Sequence, residues 1–191
     1  MLIVPKKATK NIIKNVVQFI NNDTTLVSIV PSLSIDELES DVLQDQHIVS
    51  LYPNTTVEIH KGIIGYVNNS HVDEELIYSL LRPLGKLFKI NKNEAEIFST
   101  VSGCGPAIVD LFIESLSDGA VLNGMNRALS YELMPEMIIG AAQLLKVSNQ
   151  HPGIIKDKVC SPGGHTIKAI HTLEKHAFRY TLSDAINSVN D

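Results

Sequence analysis

The sequence has no tryptophan, two cysteines and few aromatics, 5% of its 191 residues. Each shortage excludes something. Cys104 and Cys160 lie far apart, without Cys-x-x-Cys or Cys-x-x-His spacing. A disulfide framework and a structural zinc are therefore not expected, and the chain suits a reducing cytoplasm. So few aromatic rings make no stacking surface for single-stranded nucleic acid. Basic charge is also short: 16 Lys and Arg against 21 Asp and Glu leave a net charge of −5. That disfavours nucleic acid or an anionic membrane as the main partner. No apolar run reaches the roughly 20 residues needed to cross a bilayer. The N-terminal Met1-Leu2-Ile3-Val4-Pro5-Lys6-Lys7 has too short an apolar run before its charge to be a signal peptide. No Gly-x-Gly-x-x-Gly, Walker A, Gly-x-Ser-x-Gly or kinase signature occurs. The seven histidines form no His-Glu-x-x-His and sit with no carboxylate cluster, so no metal site is expected.

What remains is ordinary globular composition, 44% hydrophobic and 19% charged. The first half alternates strand and helix signals. Short apolar runs at Leu2–Val4, Leu26–Val30, His47–Tyr52, Ile63–Val67 and Leu87–Ile90 read as strands. Between them, Ile12, Ile13, Val16, Val17 and Ile20 recur at helical spacing. Ser34-Ile35-Asp36-Glu37 has the form of a capping box, and Asp73 caps a helix through Leu81. This order predicts an α/β layer with a mostly parallel sheet over residues 1–91. Asn91-Lys92-Asn93 is a short polar joint. Residues 92–191 then read as an all-α bundle or dimerisation domain. Pro106 is placed as the first residue of a long helix ending at Gly124, apolar nearly all round and so expected to be buried. Pro135 is expected to kink the next helix.

Three segments carry candidate chemistry. Ser161-Pro162-Gly163-Gly164-His165-Thr166 precedes a helical stripe. Paired glycines at a helix N-terminus suit a small carboxylate or phosphate, and they equally suit a plain capping turn. Ser102-Gly103-Cys104-Gly105-Pro106 reads as a tight hinge with room for a binding role. Asn54, after a strand, would face a ligand or make an Asx turn. Cys104 and Cys160 have no activating neighbour in sequence and read as small core residues.

Together these segments resemble the pyrroline-5-carboxylate reductase family. The resemblance is carried by Ser102-Gly103-Cys104-Gly105-Pro106-Ala107, by Gly140-Ala141-Ala142, by His151-Pro152 through Lys156-Asp157-Lys158-Val159, by Ser161 to Thr166, and by Leu173-Glu174 and Phe178-Arg179. Upstream, Tyr52-Pro53-Asn54-Thr55-Thr56 looks like the family's Met-Pro-Asn-Thr-Pro. Val4-Pro5-Lys6 looks like its Val-Lys-Pro with the last two residues inverted. The resemblance implies a Rossmann-type half followed by a helical domain that interlocks into a homodimer, often assembled further. It implies reduction of 1-pyrroline-5-carboxylate to L-proline by NAD(P)H, in proline biosynthesis. Ser161, Gly163, Gly164 and Thr166 would hold the substrate, with Thr166 catalytic on the imine-nitrogen side. Val4, Pro5, Pro53 and Asn54 would lie by the cofactor. The family's first strands and glycine-rich loop have no counterpart in these residues, so residues 1–91 are expected to be a Rossmann remnant. The chain by itself is expected to bind NAD(P)H weakly and to turn over poorly. A non-catalytic dimeric module that binds a proline-like carboxylate or a protein partner is the alternative. A relative acting on a different imine is a third.

Overall fold

The computed structural model describes residues 1–30, 33–69 and 72–189, so His71 lies outside the described residues. The chain divides into two compact units, Met1–Pro106 and Ala107–Asp191.

The first unit holds a four-stranded sheet of β1 (Thr25–Ser28), β2 (His47–Pro53), β3 (Gly62–Asn68) and β4 (Gly85–Lys89), in that spatial order. Leu2 extends it by one parallel bridge to Ser28. The sheet is mixed. β1 pairs with β2 and β3 with β4 in parallel, but β2 and β3 are antiparallel. The sheet is thus mostly parallel, as expected, and loop length explains the one antiparallel pair. A parallel crossover needs a dozen or more residues. The stretch between Pro53 and Gly62 is shorter and is occupied by a 3-10 turn, Thr55–Ile59.

Strand alternation then sorts the core onto two faces. Ile48 and Tyr52 join Leu2, Leu26 and Val67 beneath α1 (Lys6–Val16), through Ile13, and α2 (Ile35–Glu39), through Leu38. Val49, Leu51, Ile64 and Tyr66 pack on the other face beneath α3 (Glu74–Leu81), through Ile77 and Leu81. The expected caps are present. Ser34 and Glu37 close a reciprocal capping box, and Asp73 accepts from the Glu75 amide at 3.0 Å.

Asn91 and Glu94 form a second capping box, and α4 follows over Ala95–Leu122. Pro106 therefore lies well inside α4 and not at its first position. The cap at Asn91 starts the helix earlier, and Phe98 holds that start on the sheet. Gly65 makes the contact possible: a Cβ there would stand 2.5 Å from the Phe98 ring. The Ser102–Pro106 hinge reading meets a continuous helix, although Pro106 has no N–H to give the Ser102 carbonyl.

The second unit carries the rest of α4, then α5 (Arg127–Ser148), α6 (Pro152–Lys158), α7 (His165–Lys175) and α8 (Phe178–Asn187). Pro135 lies inside α5. Among its described residues only Ser117 and Ser130 are buried. α4 was expected to be covered, yet Val109 is 43%, Leu111 63% and Leu122 87% exposed. Among the described residues of the second unit nothing covers them. Within the helical stretch Lys92–Leu122, one 18-residue window reaches mean hydropathy 1.3, enough by length and composition alone to cross a membrane. Asp110, Glu114 and Asp118, spaced at i, i+4 and i+8, lay an acidic stripe along it.

Candidate functional site

In the second unit the Ser161 segment is built as a turn that opens a helix. α6 is capped by His151, whose Nδ1 accepts from the Gly153 amide at 3.1 Å, with Pro152 as its first residue. It ends at Val159. Ser161-Pro162-Gly163-Gly164 then folds back, the Gly164 amide donating to the Ser161 carbonyl at 3.0 Å. Pro162 and a left-handed Gly163, φ 69°, are the residues a type II turn requires at its second and third positions. Gly164 is the N-cap of α7 at φ −69°, ψ 174°. That conformation suits any residue. What requires glycine is space: a Cβ at 164 would stand 2.4 Å from Ser161 Oγ. The Ser161 hydroxyl is thus set directly against the helix entry.

Gly164 supplies no side-chain cap, so the first amides of α7 lack a capping partner. Ser161, Gly163 and Thr166 are exposed, and Gly164 is partly so. Backbone N–H groups, the Ser161 hydroxyl and the positive end of the helix dipole come together at an open lip. Positive charge lies nearby at the end of α6, where Lys156 and Lys158 occupy the last turn. A hydrogen bond to Asp157 holds the Lys156 ammonium above its ordinary range. The arrangement suits a small carboxylate presented by an otherwise compact ligand.

The other predicted residues lie in the first unit. Leu2 is level with Ser28, and Ser28 with Ser50, all in parallel. The chain therefore leaves these segments at one edge of the sheet. It delivers Val4 and Pro5 there, with Pro5 as the N-cap of α1, and Pro53 and Asn54 two strands away, on the order of 10 Å. Asn54 is 7% exposed. Its Oδ1 accepts from the Ile63 amide at 2.9 Å, and the Thr56 hydroxyl lies 2.8 Å away. The same hydroxyl is 3.0 Å from the Lys61 carbonyl oxygen. Asn54 is thus the Asx-type lock of the β2–β3 turn, one of the two roles open to it from sequence. Crevices outside the carboxyl ends of strands are where open α/β sheets take ligands.

A polar cluster went unnoticed in sequence. The Tyr66 hydroxyl donates to Glu74 Oε2 at 3.3 Å, and Lys89 pairs with Glu74 Oε1. The Lys89 hydrogen bond holds the Glu74 carboxyl below its usual range, and burial pushes the Tyr66 phenol up. The cluster ties β3, α3 and β4 together. Cys104 and Cys160 are free and partly buried. Among the described residues, no three His, Cys, Asp or Glu side chains are grouped to hold a metal ion.

Comparison with known proteins adds the following. The family described as pyrroline-5-carboxylate reductase dimerisation matches residues 92–191. The pyrroline-5-carboxylate reductase of Escherichia coli (strain K12) is 33% identical over 178 residues, covering 92% of this chain and 66% of its own. That of Pisum sativum is 31% identical over 186 residues, covering 96% and 68%. The chain therefore spans just under two thirds of the Escherichia coli relative. Among solved structures, the pyrroline carboxylate reductase of Plasmodium falciparum, with NADP bound, superposes at TM-score 0.88. It is 33% identical and covers 97% of this chain and 76% of its own. The 1-pyrroline-5-carboxylate reductase of Streptococcus pyogenes gives 0.83 at 28% identity, covering 98% and 72%.

Proposed function

Given that the chain belongs to the pyrroline-5-carboxylate reductase family, we propose that it carries the substrate cradle and the dimer-forming helices of an enzyme reducing 1-pyrroline-5-carboxylate to L-proline. The observation that carries this reading is the Ser161–Gly164 turn opening into the uncapped N-terminus of α7.

The ring carboxylate sits at the α7 amides, where the helix dipole opposes its charge. The Ser161 hydroxyl, fixed by the space Gly164 leaves, donates to the same group. Thr166, in the first turn of α7, hydrogen-bonds the imine-nitrogen side and orients the ring. NAD(P)H, when bound, supplies the hydride. The protonated imine is already electrophilic, so holding it in place provides most of the catalysis. Val4, Pro5, Pro53 and Asn54 form the strand-end wall on the cofactor side. They fit that role as a rigid edge, since Asn54 Oδ1 is already bonded within the turn.

The test is NADPH oxidation with 1-pyrroline-5-carboxylate, in the chain joined to a family glycine-rich segment. Thr166→Ala and Ser161→Ala should lower kcat/KM at least tenfold with unchanged secondary structure. Full activity in both would overturn the assignment.

A second reading rests on one fact: these 191 residues contain no Gly-x-Gly-x-x-Gly. That loop supplies much of the pyrophosphate affinity in this fold class. Taken alone, the 191-residue polypeptide binds NAD(P)H weakly and acts as a dimeric module for a proline-like carboxylate or a protein partner. Fluorescence titration with NADPH and calorimetry with proline separate the readings. Micromolar NADPH affinity, or no proline heat at millimolar ligand, would sink the second.

A further inference from the structure

β4 is the outer strand of the sheet, with no strand beyond it among the described residues. In a parallel ladder, alternate residues of a strand turn their N–H and C=O groups to the same side. Tyr66 is level with Lys89, and the Ile90 amide donates to the Tyr66 carbonyl at 3.1 Å. Lys86 and Phe88 therefore bond inward to β3, as Ile90 does. The amides and carbonyls of Leu87 and Lys89 point outward, along an edge open to another strand.

The charge along this edge has one sign. Residues 82–92 hold Arg82, Lys86, Lys89 and Lys92 and no carboxylate, in a chain of net charge −5. Glu74 and Asp36 take Lys89 and Lys92. Arg82 and Lys86 have no ion pair among the described residues. Arg82 opens the 3-10 turn that leads into β4. The Lys86 ammonium stands 5.0 Å from the centre of the Phe88 ring. Phe88 is 36% exposed, and Ile63, level with Lys86 on β3, is 39% exposed. Outward backbone groups, two uncommitted cations and an apolar step thus share one edge.

We propose that this edge takes an extended acidic segment of a partner protein as an added strand, with its carboxylates at Arg82 and Lys86 and an apolar residue on Phe88. Main-chain bonds to Leu87 and Lys89 supply affinity, and alternate side chains supply the choice of sequence. A second copy is rejected as occupant, because it would set the same cations against these. A nucleic acid would answer the charge but has no ladder of alternating donors and acceptors for a strand edge. The surface lies in the first unit and uses no residue assigned to substrate or cofactor.

The probe is a dye-labelled peptide of sequence Glu-Thr-Val-Thr-Glu, capped at both ends, whose alternation puts both carboxylates and the valine on one face. With the 191-residue chain at physiological salt, its anisotropy should saturate below millimolar concentration. Hydrogen exchange at the Leu87 and Lys89 amides should slow at least tenfold. Arg82→Glu with Lys86→Glu should weaken binding at least tenfold and shift the preference to Lys-Thr-Val-Thr-Lys. Lys89→Pro removes an outward N–H and leaves the inner ladder intact, as prolines on edge strands do. It should bind at least tenfold more weakly than Lys89→Ala, which loses the same ion pair. Should Lys89→Pro fail to fold, exchange in the unaltered chain decides alone. No saturation at millimolar peptide, unslowed exchange at those two amides, or equal binding by folded Lys89→Pro and Lys89→Ala would overturn the proposal. So would a short single-stranded oligonucleotide that binds as tightly as the peptide.

Discussion

Gly164→Ala isolates the geometry of the cradle. The backbone at 164, φ −69° and ψ 174°, accepts alanine without strain. Loss of glycine freedom in the unfolded chain would even favour the folded state by about 0.4–1 kcal/mol. Against this stands the new Cβ, 2.4 Å from Ser161 Oγ and 3.2 Å from the Ser161 carbonyl oxygen. The hydroxyl must swing out by about 1 Å. Overpacking of this kind costs about 1–3 kcal/mol, so the net loss should be about 1 kcal/mol. In a Ser161→Ala background the short contact is gone. The remaining side-chain contact, the Ser161 Cβ at 3.7 Å, is ordinary. The 3.2 Å contact with the residue-161 carbonyl oxygen is common to both backgrounds and offsets the gain from lost glycine freedom, so there Gly164→Ala should be close to neutral. Urea unfolding of the four proteins, at one fixed concentration because association contributes, gives the cycle. A coupling of about 1 kcal/mol or more is expected. Equal losses with and without the serine hydroxyl would refute the argument. Gly163→Ala is the control. It meets nothing within 4 Å, but its φ of 69° should cost about 1–2 kcal/mol in either background.

Other perturbations have outcomes of similar definition. Ala177 is left-handed at φ 56°, and Ala177→Gly should stabilise by about 0.5–1 kcal/mol, read as a raised urea midpoint. Asn54→Ala strands the Ile63 amide and should cost about 1–3 kcal/mol, with a serine at that position recovering part of it. Gly65→Ala drives Phe98 off β3 and should cost about 1–3 kcal/mol, and near-ultraviolet dichroism should report the displaced ring. Glu74, with its carboxyl held low by Lys89, stabilises above its unfolded pKa, near 4.3, and loses that contribution as pH falls through the lower folded value. The pair is solvent-exposed, so Glu74→Gln should remove less than about 1 kcal/mol, and only on the neutral side of that window.

The parts of the fold legible in sequence were those fixed locally. Ser34 with Glu37, Asp73, and the glycine after α4 each act through hydrogen bonds or φ within four residues. Strand direction was not legible, because alternation shows which face is buried and not which way the strand runs. Only the brevity of 54–61 carried that information. Asn91 with Glu94 has the spacing of a capping box as well as the polarity of a joint, and the box starts the helix well before Pro106. A proline fits a first position best, but an upstream cap and Phe98 packed on Gly65 outweigh the hydrogen bond lost at Ser102. Of the candidate site, the Ser161–Thr166 turn was readable because Pro-Gly-Gly demands its own geometry. The lock on Asn54 was not, since its partners Thr56 and Ile63 reach it only through the turn.

The helices after Pro106 bury two serines and no large apolar side chain among the described residues. Such an assembly has no private source of stability, so its folded population depends on how much of the chain is present. Newly made copies would dwell as a protease-sensitive species until they meet a cover. Halving the rate of synthesis should therefore remove more than half of the finished protein. Pulse-chase decay measured at two expression levels would show that dependence as a longer half-life at the higher one.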